Sequence, residues 1–318
     1  MSVARRHHTL SQTYLRRFLA AGATKPQLRV YDARRRLSFV TNIANVAVAH
    51  DFNTVKVEGQ PSDALESALS KFEGVVAGAL DRICAARSFR DADDRKAILN
   101  FLGMIYLRNP RWRGRMEEFI AETVKMVAQV STSTKEIWDG ERERFSKATD
   151  TPPSDAVSYE EMREFVRGEG YKIKVARDYL IGLELKTFND ILPIFFARKW
   201  SLFRAKPGTG GFITSDHPAC LMWNDNKLAT GPYPPGLGLT KTDLYFPLSR
   251  DLCLVGRLDD GPELEVEVDF RVVAAVNGLV VAFAERQVYA SDDRFLFSRG
   301  GSALPLFGYE MFDDAKAV

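Results

Sequence analysis

Apolar residues recur in this chain with two different rhythms. Up to about residue 198 the spacing is mostly three and four, the period of a helix; from Trp200 onward they alternate or run in short blocks between Gly and Pro, the habit of strands. Within the first region, Tyr14, Leu15, Phe18 and Leu19 lie at helical spacing behind Thr9 and Gln12, which read as a capping box, and Gly22 ends the segment. His8 then falls at or just before the cap and His7 in the extended lead, beside amides that favour neutral imidazole. "QLRVYDARRRLSFV" predicts a β-hairpin, and "NVAVAHDFNTV" follows as an apolar stretch ending in His50, Asp51 and Asn53.

Pro61, Ser62 and Asp63 open a predicted helix running to about Cys84, with Leu65, Leu69, Phe72, Val76, Leu80 and Ile83 inward and Glu66 and Glu73 flanking that stripe. A second helix begins near Asp91–Asp94 and stops at "RNP", because the residue before proline resists helical geometry. A third covers roughly 113–130. The polar stretch 131–157, with its Pro-Pro, reads as a linker; Ser158 and Glu161 form a new capping box, and helices continue to about Arg198 with a kink or break at Pro193. "WSLFRA", "GFITS", "ACLMW", "DLYFPL", "DLCLVG" and "ELEVEV" predict short strands, "FRVVAAVNGLVVAFAERQ" a helix, and "QVYAS" a last strand.

The class that results is α+β: a helical first half with an N-terminal β-hairpin, and a second half built of a mostly antiparallel sheet with flanking helices. The chain, 1–318, reads as one unit, divisible into a hairpin plus helices (1–130), a polar linker (131–157), and helices plus sheet (158–318).

Composition narrows the function classes only a little. No apolar run is long enough to cross a bilayer, no secretory leader is expected, and three scattered cysteines without a CxxC pair indicate neither a zinc ribbon nor a disulfide scaffold, so a cytoplasmic setting is expected. The net charge is only +2, but residues 1–36 hold nine Lys or Arg against one acid, and "RNPRWRGR" adds Arg108, Arg111, Arg113 and Arg115 around Trp112. Such groups suit a nucleic acid or another phosphate-bearing ligand. P-loop, GxGxxG and GxSxG patterns do not occur, so nucleotide-driven, Rossmann and α/β-hydrolase chemistry have no footing here.

All four histidines sit beside another imidazole or an acid: His7 with His8, His50 with Asp51, His217 with Asp216. Imidazole and carboxylate are the usual donors for Zn, Mn or Mg, so His7, His8, Asp51 and Asp216 are candidate metal ligands. Glu66 or Glu73 would serve as a further ligand or general base, with Arg17 and Arg108 as phosphate clamps. Asp216 followed by the Asp225, Asn226, Lys227 segment is a loose version of the carboxylate-and-lysine pattern of metal-dependent nucleases. Three expectations follow: a metal-dependent phosphodiesterase or nuclease-like hydrolase; a non-catalytic module for nucleic acid or anions; or a purely structural use of these motifs.

"HHTLSQTYLRRF" resembles the opening His-His-x-x-Pro-Gln-x-Tyr-Leu-x-x-Phe of an uncharacterised bacterial family, domain of unknown function 4238. "VYDARRRL", "NVAVAHDFNT", "LESALSKFEG", "FLGMIYLRNPR", "FITSDHPA", "FPLSRDLCLVG" and "VNGLVVAFAERQVYAS" resemble it in the same order. Ser11 stands where that family usually has Pro, and Asn53 where a Tyr usually follows Asp-Phe. The resemblance implies a single family unit and puts His7, His8, Gln12, Tyr14, Asp51, Glu66, Glu73, Arg108 and Asp216 on motif positions. It carries no established activity, substrate or cofactor.

Overall fold

The computed structural model describes residues 6–50, 52, 64–152, 156–300 and 304–313, apart from the side chains of Arg6, His50 and residues 64–66. In chain order the elements are β1 (Arg6–His8), α1 (Gln12–Leu15), β2 (Gln27–Asp32), β3 (Leu37–Asn42), β4 (Val48–His50), α2 (Ala64–Ala86), α3 (Ala92–Leu107), α4 (Pro110–Ser131), α5 (Lys135–Thr149), α6 (Tyr159–Gly168) and α7 (Arg177–Ala197). Then follow β5 (Lys199–Ala205), β6 (Thr214–Ser215), β7 (Cys220–Trp223), α8 (Asn226–Ala229), β8 (Thr242–Ser249), β9 (Leu252–Arg257), β10 (Glu265–Val268), α9 (Phe270–Phe283), β11 (Gln287–Ala290), β12 (Leu296–Phe297) and β13 (Leu306–Phe307). The protein is α+β, with helices concentrated in the first half and strands in the second.

Two compact units divide the chain: residues 1–109 with 184–318, and residues 110–183. The first holds both larger sheets. One has the order β10-β5-β9-β8-β7 and is antiparallel except for the β10–β5 pair; the other has the order β3-β2-β11-β6 and is antiparallel throughout. The predicted hairpin is β2–β3, so strands far apart in sequence, β2 and β11, lie side by side. In β8, Pro247 sits next to a register shift against β9, and β7 pairs only with Thr242–Tyr245. A proline without an amide is tolerated there because no ladder bond is demanded of it on the β7 side.

The main core joins α1, α2 and α3 to the five-stranded sheet through residues such as Leu15, Leu80, Phe101, Phe246 and Leu254. A second cluster packs α9 under β11 and β12, with Val280, Val288, Phe295 and Phe297. Tyr14 is the knot of the main core. Fully buried, it stacks on Phe246 at 5.5 Å and meets Phe18 edge-on at 5.1 Å. Its hydroxyl donates to the carbonyl of Pro247 (2.8 Å) and meets Thr214 Oγ1 at 2.8 Å.

Several local expectations need correction. The first helix begins later than the Thr9–Gln12 box implied: its cap is Ser11, whose Oγ accepts from the Thr13 amide, while Thr9 instead donates to Ala47. His7 and His8 accordingly belong to a strand, β1, paired with β4, and not to a helix lead. The stretch 131–157 is not a bare linker, since α5 occupies its centre, capped by Thr134 and closed by Asp150 in the left-handed region. α7 runs through Pro193 without a break. The Ser158–Glu161 capping box and the Asp91 start of α3 form as the sequence predicts. In the second unit α4 packs against α5 and α6, and Tyr159 donates to the Ser133 carbonyl.

Candidate functional site

The residues singled out in the sequence separate into three groups. Asp51 lies outside the described residues, as do the side chain of Glu66 and any contact it makes. Glu73 is half-buried on α2. Among the described residues, no group of three or more His, Cys, Asp or Glu is arranged to hold a metal ion.

The second group is built into the architecture. His7 is buried on β1. His8 Nε2 lies 3.0 Å from the side-chain nitrogen of Gln12, a geometry in which the amide donates and the imidazole accepts. Arg108, buried at the end of α3, donates from Nη2 to the His8 carbonyl (3.1 Å), so its guanidinium fastens β1 to the helix. Asp216 accepts from the amides of Glu285, Arg286 and Gln287 at 2.8, 2.9 and 2.9 Å. Burial raises the pKa of Asp216 and these amides oppose the rise. Its oxygens are thus engaged in closing the α9–β11 turn. Asp225 caps α8 through the Lys227 and Leu228 amides and takes Lys241 Nζ at 3.1 Å, while the His217 ring stacks on Phe283. The Arg108–Arg115 group is not an open basic face: Arg108 and Arg113 are buried and Arg111 half-buried. Burial also pushes the thiols of Cys84, Cys220 and Cys253 up, which leaves them poor nucleophiles at neutral pH.

Arg17 makes up the third group, and it opens onto a site. Its Nη1 donates to Asp81 of α2 at 2.6 Å, an acid of the helix that carries Glu66 and Glu73 but neither of those two. With Arg17, a cleft of about 940 Å³ is lined by Arg87, Lys206, Arg250 and Arg294, and by the loop Gly208–Gly211. Five cationic side chains face two carboxylates there, Asp251 and Glu267.

Backbone ties fix these walls. The Arg250 amide donates to the Arg17 carbonyl (3.0 Å), and the Arg250 carbonyl accepts from Phe212 (2.7 Å). The Ala205 amide donates to Asp251 O at 2.9 Å, and the Lys206 amide to Val268 O at 3.1 Å. Arg87 follows α2 in the left-handed region, φ 50°, a common helix ending, and its Nη2 reaches the Ala205 carbonyl at 3.5 Å. The segment Lys206-Pro207-Gly208-Thr209 is a tight turn: the Thr209 amide donates to Lys206 O at 3.3 Å with Gly208 at φ 83°. Proline then glycine at the two central positions is the pattern this turn demands. Gly210 and Gly211 also have positive φ, 81° each, and a Cβ on Gly211 would come within 2.8 Å of the Arg250 carbonyl. Asn277, buried on α9, donates to the Gly211 carbonyl (3.0 Å) and accepts from the Ile213 amide (3.0 Å), pinning the loop's exit.

Of the cleft, only Arg17 stands out in the sequence as a candidate. Arg87, Lys206, Arg250 and Arg294 are scattered singly, and "KPGTGG" looks like a mere separator between strands. The signal available was that run of three glycines in four positions next to a lysine, more than a simple strand connection needs.

Comparison with protein-family models places residues 6–294 in the family described as protein of unknown function (DUF4238). The chain belongs to this family. Comparisons with curated proteins and with solved structures returned no match. The family's motif residues divide by role: Tyr14, Arg108 and Asp216 hold elements together, whereas the basic cleft draws on residues from both halves of the first unit.

Proposed function

We infer that this DUF4238 protein is a binding module for a phosphate-bearing anion, seated in the cleft between Arg17, Arg87, Lys206, Arg250 and Arg294. One observation carries the reading: five cations gathered from five separate segments around one concavity, against only two acids. Elsewhere in the basic N-terminal segment Arg29 lies near Asp293 and Arg34 near Glu285 (both 3.4 Å). In the cleft Arg17 pairs with Asp81 (2.6 Å) and Arg250 with Asp292 (3.5 Å), while Lys206 and Arg294 form no ion pair among the described residues. Excess positive charge in a concave site focuses the field and raises the local concentration of anions. A cytoplasmic setting accords with three free cysteines. Among the described residues no helix is long and apolar enough to cross a membrane. The metal-dependent hydrolase expected from the sequence draws no support from the described donors, because Asp216 is committed to backbone amides and Arg108 to the His8 carbonyl.

The test is calorimetric titration with inorganic pyrophosphate and with a short 5′-hydroxyl oligothymidylate, across a salt series. At least one ligand should bind, with affinity falling steeply as salt rises, and Arg87→Gln with Arg250→Gln should weaken it by about tenfold. No binding of either at low salt, or an affinity indifferent to ionic strength, refutes the reading.

A further inference from the structure

The cleft has uneven walls, and its glycine wall is the more informative. The amides of Gly208, Gly210 and Gly211 donate to no acceptor among the described residues. All three residues line the cleft and all three have left-handed φ. Backbone amides clustered in one turn form a concavity suited to anions, and amides left without partners are costly unless water or a ligand satisfies them. Lys206 precedes this turn and Arg294 stands in the same cleft, both exposed. The turn is also held rigid: Thr209 Oγ1 donates to Lys206 O at 2.9 Å, and a Cβ on Gly210 would press on the Phe295 backbone at 3.1 Å. The donors are therefore in position before a ligand arrives, which lowers the ordering cost of binding.

We propose that the Gly208–Gly211 turn, with Lys206 and Arg294, is a subsite for a terminal phosphoryl group: the end of a pyrophosphate or phosphomonoester, not an internal phosphodiester. This deepens the anion-binding reading and rests on it. Donor and charge counts carry the distinction. A terminal phosphate offers three oxygens and a charge between about −1.5 and −2 at neutral pH. It can therefore engage several amides and both flanking cations together. An internal phosphodiester bears one charge and only two free oxygens, so it leaves part of this donor set unmet. Asp81 pairs with Arg17 and Asp292 with Arg250, whereas Lys206 and Arg294, the two cations beside the glycine turn, form no ion pair among the described residues and keep their charge for the phosphoryl end.

The experiment compares the same short oligothymidylate with a 5′-phosphate and with a 5′-hydroxyl, beside inorganic pyrophosphate, by calorimetry at fixed salt. The phosphorylated end should bind about tenfold tighter, the worth of one charge-assisted hydrogen bond, and pyrophosphate should compete with it. Lys206→Gln with Arg294→Gln should abolish the difference, leaving the 5′-phosphorylated and 5′-hydroxyl ligands with equal and weaker affinity. Both side chains are exposed, and an unchanged Tm confirms an intact fold. In an amide-resolved NMR spectrum, pyrophosphate should shift the Gly208, Gly210 and Gly211 resonances. Equal affinity for the two oligonucleotides, a preference that survives the double substitution, or bound pyrophosphate that leaves those amides unmoved overturns the subsite and leaves general anion binding standing. If no ligand binds at low salt, both readings fall.

Discussion

Replacing Tyr14 by Phe tests whether the family's N-terminal motif is chiefly a structural clasp. The substitution keeps the ring, and with it the contacts to Phe18, Phe101 and Phe246, and removes a single buried oxygen. That oxygen has one proton. Pro247 O can only accept, so the tyrosine proton goes there and Thr214 Oγ1 donates to the tyrosine. Tyr14→Phe therefore removes both hydrogen bonds and strands a carbonyl and a hydroxyl; Thr214 is itself fully buried. Two net hydrogen bonds at about 1 kcal/mol each, plus part of the desolvation cost of the stranded groups, give roughly 2–3 kcal/mol. Thr214→Val deletes only the second bond and leaves Tyr14 donating to Pro247, so it should cost about 1 kcal/mol or less. The pair should couple in a double-substitution cycle, since the Thr214 hydroxyl has no role left once Tyr14 is Phe. Urea unfolding followed by circular dichroism reads both, with a Tm shift of about 2–4 °C per kcal/mol. Burial raises the Tyr14 pKa well above its ordinary value. The neutral form is thus the one the fold favours, and the contribution is fully present below the unfolded value near 10 and declines only in strong alkali. Equal losses for the two single substitutions, or a Tyr14→Phe protein as stable as the parent, would refute the assignment.

Two further outcomes follow from buried charges. Burial alone would raise Asp32, but hydrogen bonds from the Arg286 and Gln287 side chains and the Arg35 amide outweigh it and hold the carboxyl at about 2. Because the folded value is depressed, its stabilisation is complete above the unfolded value near 3.9 and is lost as pH falls towards about 2. Asp32→Asn should lower Tm at neutral pH, with the gap from the parent closing through that acid window; a gap constant from neutral to strongly acid pH would contradict the argument. Arg198 is buried with no carboxylate partner among the described residues, its Nη groups donating to the carbonyls of Leu237, Thr242 and Gly256. Burial lowers its pKa to about 10, so it stays cationic at neutral pH. Arg198→Leu should cost about 2–4 kcal/mol in urea unfolding by stranding these carbonyls, and Arg198→Lys should recover only part of that, lacking the planar fork. A leucine variant as stable as the parent would show that the carbonyls find other donors.

The reach of the sequence can be traced residue by residue. Periodicity located α2, α3, α9 and the β2–β3 hairpin, because a helix or hairpin expresses its apolar face within a short window. The Ser158–Glu161 box and the Asp91 cap were legible for the same reason, since caps act over three residues. At the N-terminus local reading failed. Thr9 has the chemistry of a cap, but its hydroxyl is taken by the Ala47 carbonyl, and the pairing of β1 with β4 draws the histidines into a strand. Such a pairing depends on a partner about forty residues away and leaves no mark in an isolated window. Polarity likewise concealed α5, whose surface is solvated and whose ends are capped.

For the site the division is sharper. The sequence by itself determined the class of architecture, the family motifs, and the presence of charges suited to phosphate. It could not determine which of those charges remain available. Arg108 and Asp216 hold backbone groups brought to them by tertiary packing, while Arg87, Lys206, Arg250 and Arg294 come to line one cleft only because Ala205, Phe212 and Asp251 are tied across one wall. The physical reason is range: hydrophobic period and capping are short-range properties written into neighbouring residues, whereas the convergence of like charges costs energy locally and persists only where the rest of the fold holds their backbones in place.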